Sequence, residues 1–247
     1  MMRQGAVDLG DDRVGEAFFA QLQDGVERMC ARLQQFAIHA ASIRSMTMAK
    51  SSKAWLRRHV TDAYVRQAKE AGYRSRAAYK LLEIDARDHL LRPGMRVLDL
   101  GAAPGGWSQV AAEKVKPGGT VVAVDLLETK PIHGVTIFKG DFREADLESA
   151  LGGKADAVLS DMMPNITGVP SVDQARAAQL LLSAIELCHR VLKPEGVFLV
   201  KMFHGEAFDK VLDALKSSFQ TVAVRKPSAS RGESRENYLL ARRRIKH

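Results

Sequence analysis

Between residues 95 and 201 the chain returns five times to a short apolar run, at 95–100, 121–125, 135–138, 157–160 and 197–201. Each run is too short for a stable helix and has the length of a buried strand. Helical stretches lie between most of them, at 106–115, 144–151 and 173–192, and a further one at 205–218 follows the last. Strand and helix in alternation give a mostly parallel sheet with helices on both faces, because parallel neighbours need a crossover between them. Two final strands, 221–225 and 237–241, are close enough in sequence to pair antiparallel, which makes seven. Upstream, Thr61 is placed to cap a helix running to about residue 69, with Gly72 just past its end, and Ser75 to cap a second through about residue 89. Pro93-Gly94 then turns the chain into the first strand.

That strand runs directly into Asp99-Leu100-Gly101-Ala102-Ala103-Pro104-Gly105-Gly106-Trp107-Ser108. A strand, a glycine-rich turn and a helix N-terminus form a nucleotide-type pocket, in which glycines let the backbone approach a ligand. Ala103 stands where a dinucleotide fingerprint has its second glycine, and no Gly-Lys-Ser/Thr follows. The loop therefore fits a ligand with an amino-acid end better than a pyrophosphate. The second strand ends in Asp125, 24 residues after Gly101, where a carboxylate can accept both ribose hydroxyls. The third leads to Gly140-Asp141-Phe142, and Asp141 is placed to accept from an adenine amino group. Either acid alone would be an ordinary loop residue or helix cap. Signals at successive strand ends, where open α/β sheets bind ligands, make a nucleoside pocket the better reading.

Charge is distributed unevenly over the 247 residues. Segment 50–80 holds nine Lys/Arg against two Asp/Glu and segment 225–247 eight against two, while 1–49 and 81–224 are mildly acidic. Two basic flanks suit a phosphate backbone, and Trp55, Tyr64, Tyr73 and Tyr79 within the first suit base stacking, although some must be core. Solvated faces would explain the same charge. The two cysteines, Cys30 and Cys188, argue against a disulfide framework and fit a reducing cytoplasm. The seven histidines lack metal-ligand spacing, so no metal is expected. No apolar run is long enough to span a bilayer. Residues 1–49 form a separate extension. Phe18, Phe19, Leu22, Val26, Met29, Leu33 and Phe36 recur there at helical spacing, without the layout of a signal or transit peptide. A docking helix, a poorly ordered tail and a start at Met46 or Met48 all stay open.

Residues 99–109, Gly-Asp-Phe-Arg at 140–143, Ser-Asp-Met-Met-Pro-Asn at 160–165 and Lys-Pro-Ser-Ala-Ser-Arg-Gly-Glu-Ser-Arg-Glu at 226–236 together resemble the FtsJ family of methyltransferases, and within it the bacterial RlmE type. The resemblance covers roughly residues 51–243. Met163 departs from it, standing where that type usually has alanine. It implies a Rossmann-like class I fold over residues 50–247 and S-adenosyl-L-methionine as cofactor. The implied reaction is 2′-O-methylation of a uridine ribose in 23S ribosomal RNA of the large subunit, carried out by a cytoplasmic monomer with neither DNA nor membrane as partner. Cofactor contacts would come from Gly101, Gly105, Trp107 (through its backbone), Asp125, Asp141 and Asp161.

The family's Lys-Asp-Lys-Glu tetrad falls on Lys80, Asp161, Lys201 and Glu236. Asp161 and Lys201 end strands that face the crevice, and a lysine closing an apolar strand is poorly placed as a mere solubiliser. The implied reaction is an in-line methyl transfer from a sulfonium to the ribose 2′-oxygen, with Lys201 as general base. Burial and neighbouring positive charge favour a neutral lysine, whereas Asp161 and Glu236 oppose it and would orient the lysines. A charged Lys201 would instead stabilise the developing alkoxide. A phosphate contact for Lys80 and an edge-strand ion pair for Glu236 are the rival roles. Methylation of tRNA or an mRNA cap, a non-catalytic RNA-binding assembly factor and a small-molecule methyltransferase are the alternatives. The last leaves both basic flanks unexplained.

Overall fold

The computed structural model describes residues 62–245, apart from 165, 204, 206, 207, 231–233 and 235. The expectations for residues 1–49, Trp55 and Thr61 lie outside them. Helices α1 (Ala63–Glu70) and α2 (Ala77–Asp88) precede β1 (Arg96–Leu100), α3 (Gly106–Lys114), β2 (Thr120–Asp125), β3 (Val135–Lys139), α4 (Leu147–Leu151) and β4 (Ala155–Ser160). Then follow α5 (Pro170–Val191), β5 (Leu192–Phe203), α6 (Phe208–Ser218), β6 (Phe219–Arg225) and β7 (Glu236–Arg244). The strands form one seven-stranded sheet in the order β3-β2-β1-β4-β5-β7-β6. β1 to β5 are parallel, whereas β7 is antiparallel to both β5 and β6. The insertion of β7 between β5 and β6 is invisible in the apolar pattern. It sets Tyr238 opposite Lys201 and Glu236 opposite Phe203.

Alternation along the strands separates two cores. Leu98, Leu100, Val122, Val158, Phe198 and Val200 pack with α4, α5 and α6 on one face. Val97, Val121, Ala157, Leu159, Leu199 and Tyr238 pack with α2 and α3 on the other. The 22-residue α5 has Pro170 at its start and buries Ala178, Leu181, Leu182 and Ile185 at helical spacing.

At the helix starts one capping expectation, that for Ser75, changes. Asp62 caps α1, its carboxylate accepting from the Tyr64 N–H at 3.1 Å. Ser75 is not the side-chain cap of α2. The N-cap is Arg76, Ser75 lends only its carbonyl to the Ala78 N–H, and its hydroxyl lies where a Cβ on Gly106 would sit. Gln109 of α3 stabilises this turn instead, accepting from Arg74 N–H and donating to the Gly72 carbonyl. The three tyrosines of the first basic flank, Tyr64, Tyr73 and Tyr79, are also engaged within the fold. Tyr79 meets Tyr64 at 5.6 Å and Tyr73 at 5.9 Å between ring centroids. The hydroxyls of Tyr64 and Tyr73 donate to Glu83 and Glu113.

Candidate active site

The carboxyl ends of β1, β2 and β4 open onto a cavity of ≈ 590 Å³ lined by Gly101, Asp125, Asp141, Asp161 and the apolar side chains of Leu126 and Met162, among others. Its size is that of a small-molecule site. Gly101 has φ +72°, and a Cβ there would sit 2.3 Å from Met162 Cγ, so only glycine fits this turn. Asp125 is anchored by two backbone donors, Ala103 N–H to Oδ2 at 2.8 Å and Leu127 N–H to Oδ1 at 2.7 Å. Each of its oxygens keeps a lone pair for a further donor. Asp141 is gripped by its near neighbour Arg143, whose Nε lies 2.9 Å from Oδ1 and whose Nη2 lies 2.5 Å from Oδ2. That contact, working against partial burial, holds the Asp141 carboxyl below the usual range.

Gly105 and Trp107 stand beside this cavity rather than among its lining residues. Gly105 is the N-cap of α3 at φ +111°. Trp107 is buried, its indole N–H donating to the Ala77 carbonyl at 2.7 Å and its ring 5.6 Å from that of Tyr238. Its side chain therefore serves packing, which leaves only its backbone for a ligand. Of the remaining expected cofactor residues, Gly101, Asp125, Asp141 and Asp161 all line the cavity.

The four tetrad residues form two ion pairs. Lys80 Nζ lies 2.6 Å from Glu236 Oε1, and Lys201 Nζ lies 3.1 Å from Asp161 Oδ1. Lys201 also donates to the Asp161 backbone carbonyl at 2.6 Å. Tyr238, which the sequence reading passed over, joins the pairs. Its hydroxyl donates to Asp161 Oδ1 at 2.9 Å, and Lys80 Nζ lies 5.7 Å from its ring centroid. Burial pushes the Tyr238 phenol well above its ordinary pKa, and the negative Asp161 and Glu236 add to the shift, so it remains a donor. Burial would raise the Glu236 carboxyl, but the Lys80 ammonium, helped by Ser230 and Lys201, outweighs it and holds this acid below the usual range.

Two more acids escaped the sequence reading. Asp99 is fully buried. Ser108 Oγ donates to its Oδ2 at 2.5 Å, while Oδ1 is buried with no partner. Burial, reinforced by the charges of Asp161 and Asp125 and opposed by Ser108, pushes its carboxyl up to about 7. Glu83 lies one helical turn beyond Lys80, and its carboxylate accepts from Ser228 N–H at 2.5 Å and Ala229 N–H at 3.0 Å. α2 thus pins the segment leading into β7 as well as pairing with Glu236. The helical spacing of Lys80 and Glu83 was the available signal, but its partner segment is remote in sequence.

Among the described residues no group of His, Cys, Asp and Glu is arranged to hold a metal ion, and no helix is long and apolar enough to cross a membrane. The model of the FtsJ-like methyltransferase family matches residues 73–244, which include the cavity acids and both ion pairs. A protein of Nitrosospira multiformis named ribosomal RNA large subunit methyltransferase E is 55% identical over 200 residues, covering 79% of this chain and 97% of its own. A protein of the same name from Methylobacillus flagellatus is 53% identical over 199 residues, covering 78% and 96%. The crystal structure of a Plasmodium falciparum protein described as a ribosomal RNA methyltransferase superposes with a TM-score of 0.64 at 28% identity, covering 71% of this chain and 100% of that one. With a family match across the whole sheet and relatives above half identity, the chain belongs to the FtsJ-like methyltransferase family.

Proposed function

We propose that this protein uses S-adenosyl-L-methionine to methylate the 2′-oxygen of a uridine ribose in 23S ribosomal RNA, acting in the cytoplasm on the large ribosomal subunit. The observation that carries the reading is the placement of the Lys201–Asp161 pair, bridged by Tyr238 towards Lys80–Glu236, at the edge of an acid-lined nucleoside-sized cavity. The names of the bacterial relatives support ribosomal RNA as the substrate class.

The residues present fit this cofactor. Gly101 gives close backbone approach, with Gly105 and the Trp107 backbone beside it at the start of α3. Asp125 retains acceptor capacity for two ribose hydroxyls, and Asp141, held by Arg143, lines the cavity where an adenine amino group would lie. The buried, unpartnered Asp99 Oδ1 adds negative potential below the loop when that acid is ionised, and Asp161 supplies more at the crevice. When bound, the cofactor supplies an electrophilic methyl group on a sulfonium.

Lys201, as the neutral amine, takes the proton from the ribose 2′-hydroxyl as that oxygen becomes a nucleophile and accepts the methyl group released from the sulfonium. Its nitrogen donates to the Asp161 carbonyl and lies 3.1 Å from the Asp161 carboxylate, so its position is set by the protein rather than by solvent. Asp161 and Tyr238 fix that direction. Lys80, itself held by Glu236, places a second positive charge beside the developing alkoxide.

The test is incubation of the full chain with tritiated S-adenosylmethionine and, separately, undermethylated large subunits, free ribosomal RNA and tRNA, followed by mapping of the labelled ribose. Label on a 2′-oxygen of 23S RNA is expected. Label confined to tRNA would overturn the substrate. No label on any RNA would overturn the enzymatic reading in favour of an RNA-binding factor.

A further inference from the structure

Arg74 belongs to the first basic flank, where charge alone would assign it to a phosphate-facing surface. Its hydrogen bonds instead run to backbone carbonyls of the fold itself. Nη1 donates to the carbonyls of Pro104 at 3.2 Å and Lys130 at 2.6 Å, and Nη2 donates to the carbonyl of Pro131 at 2.6 Å. Pro104 lies in the loop between β1 and α3, and Lys130 and Pro131 in the segment between β2 and β3. Both connections contribute to the cavity wall, the first through Gly101 and Ala103, the second through Leu126 and Leu127. One guanidinium therefore ties together the two loops that shape the cavity.

The packing around this clasp is tight. A Cβ on Gly105 would lie 2.5 Å from Ile132 Cδ1 and 3.2 Å from Arg74 Nη1, so glycine is needed where the two loops close. The Arg74 backbone is fixed as well, its N–H donating to Gln109 Oε1 on α3 at 2.9 Å. Both hydrogens of Nη1 are engaged by carbonyls, so a phosphate could use that nitrogen only by breaking the clasp. Carbonyl oxygens have no charge to lose, and a planar fork is the side chain that can reach three of them at fixed angles.

We propose that Arg74 is a positioning residue for cofactor binding and not part of the RNA footprint. It holds the 101–106 loop and the 126–132 segment at the spacing that the nucleoside requires. The inference rests on the cofactor reading above. It adds a residue from outside the cavity wall, on the connection between α1 and α2.

The experiment measures cofactor and RNA binding separately with the full chain. S-adenosylmethionine and S-adenosylhomocysteine are titrated calorimetrically into wild type, Arg74→Ala, Arg74→Lys and the double variant Arg66→Ala/Lys69→Ala, after thermal unfolding has checked that each is folded. The salt dependence of affinity for a fragment of large-subunit ribosomal RNA is then recorded for each. We expect Arg74→Ala to weaken both cofactor forms by tenfold or more, with an unchanged RNA salt slope. Arg74→Lys should recover only part of the loss, because an ammonium cannot fork. Arg66→Ala/Lys69→Ala should leave cofactor affinity alone and flatten the salt slope, as loss of phosphate contacts does. Wild-type cofactor affinity in Arg74→Ala and Arg74→Lys, or a flattened salt slope in either, would overturn this proposal alone. A wild-type chain that binds neither compound would overturn the cofactor reading and this proposal with it.

Discussion

Tyr238 donates its hydroxyl to Asp161 Oδ1 over 2.9 Å, the same carboxylate oxygen that Lys201 Nζ approaches to 3.1 Å. One oxygen thus lies against both the phenol and the lysine nitrogen, and Tyr238 holds the carboxylate that Lys201 approaches. Tyr238→Phe keeps the ring against Trp107 and below Lys80 while deleting only the hydroxyl. A hydrogen bond to a charged group contributes about 1.5–3 kcal/mol, so methyl transfer should fall roughly 10- to 100-fold. Cofactor affinity, measured calorimetrically, should stay within about twofold of wild type. An unchanged rate would mean that Asp161 is oriented by its backbone alone.

Lys201 is the group expected to handle the proton. Its side chain is 9% exposed, and the surrounding strand is apolar. Lys201→Ala should reduce single-turnover methyl transfer by more than about a thousandfold, within the range of acid–base and electrostatic contributions combined. Cofactor binding should be retained, since Gly101, Asp125 and Asp141 are untouched. Substantial turnover in Lys201→Ala, with cofactor binding intact, would move the base to another residue.

Asp99 gives the site a pH dependence whose sign is fixed by its environment. Its carboxyl is raised to about 7 in the folded state, against an ordinary carboxylate value near 4 when unfolded. The folded chain therefore binds the extra proton between about pH 4 and pH 7, and this acid's contribution to stability declines as pH rises through that window. Chemical denaturation of wild type and Asp99→Asn should show the asparagine variant gaining relative stability from pH 5 to pH 8. A cationic ligand above the acid favours its ionised form, so wild-type cofactor affinity should also rise across pH 7 more steeply than that of Asp99→Asn. Parallel pH profiles for the two proteins would remove Asp99 from the electrostatics of the cavity.

Much of this architecture was legible in the chain, because burial on both faces of a parallel sheet leaves continuous apolar runs and puts the candidate site residues at or near strand ends. Asp125, Asp141 and Asp161 could be located that way, and so could Lys201, although β5 runs two residues further, to Phe203. Tyr238 could not, since a tyrosine in an apolar strand reads as core, and its proximity to Asp161 depends on β7 entering between β5 and β6. Arg74 and Arg76 were hidden for the opposite reason. Both sit in a basic run, but Arg74 closes on loop carbonyls, and Arg76 pairs with Asp62 and donates to the Ala229 carbonyl. Charge counting cannot separate a cation facing solvent from one holding two segments together. Asp99 was passed over because it lies within the strand rather than at its end.

The second basic flank has the same hidden structural component, and it can be measured. Arg225 makes a two-pronged pair with Asp88, Nε to Oδ2 and Nη2 to Oδ1, both at 2.7 Å, and Arg242 donates to the Asp88 carbonyl at 2.6 Å. These contacts bind the C-terminal end of α2, which carries Lys80 and Glu83, to β6 and β7. The pair is mostly shielded, with side chains 17% and 10% exposed, and the Arg225 hydrogen bond holds the Asp88 carboxyl below its usual range. Its contribution is therefore full above the ordinary carboxylate range and is lost as acid protonates Asp88. Arg225→Ala leaves a carboxylate without its forked partner and should cost about 2–3 kcal/mol, a drop in Tm of roughly 5–10 °C for a domain of this size. Arg225→Lys should restore only part of it, because an ammonium cannot bond both oxygens in the same geometry. The salt slope of RNA binding should not change in either variant. A flattened slope with an unaltered Tm would return Arg225 to the phosphate-binding surface that the sequence charge suggests.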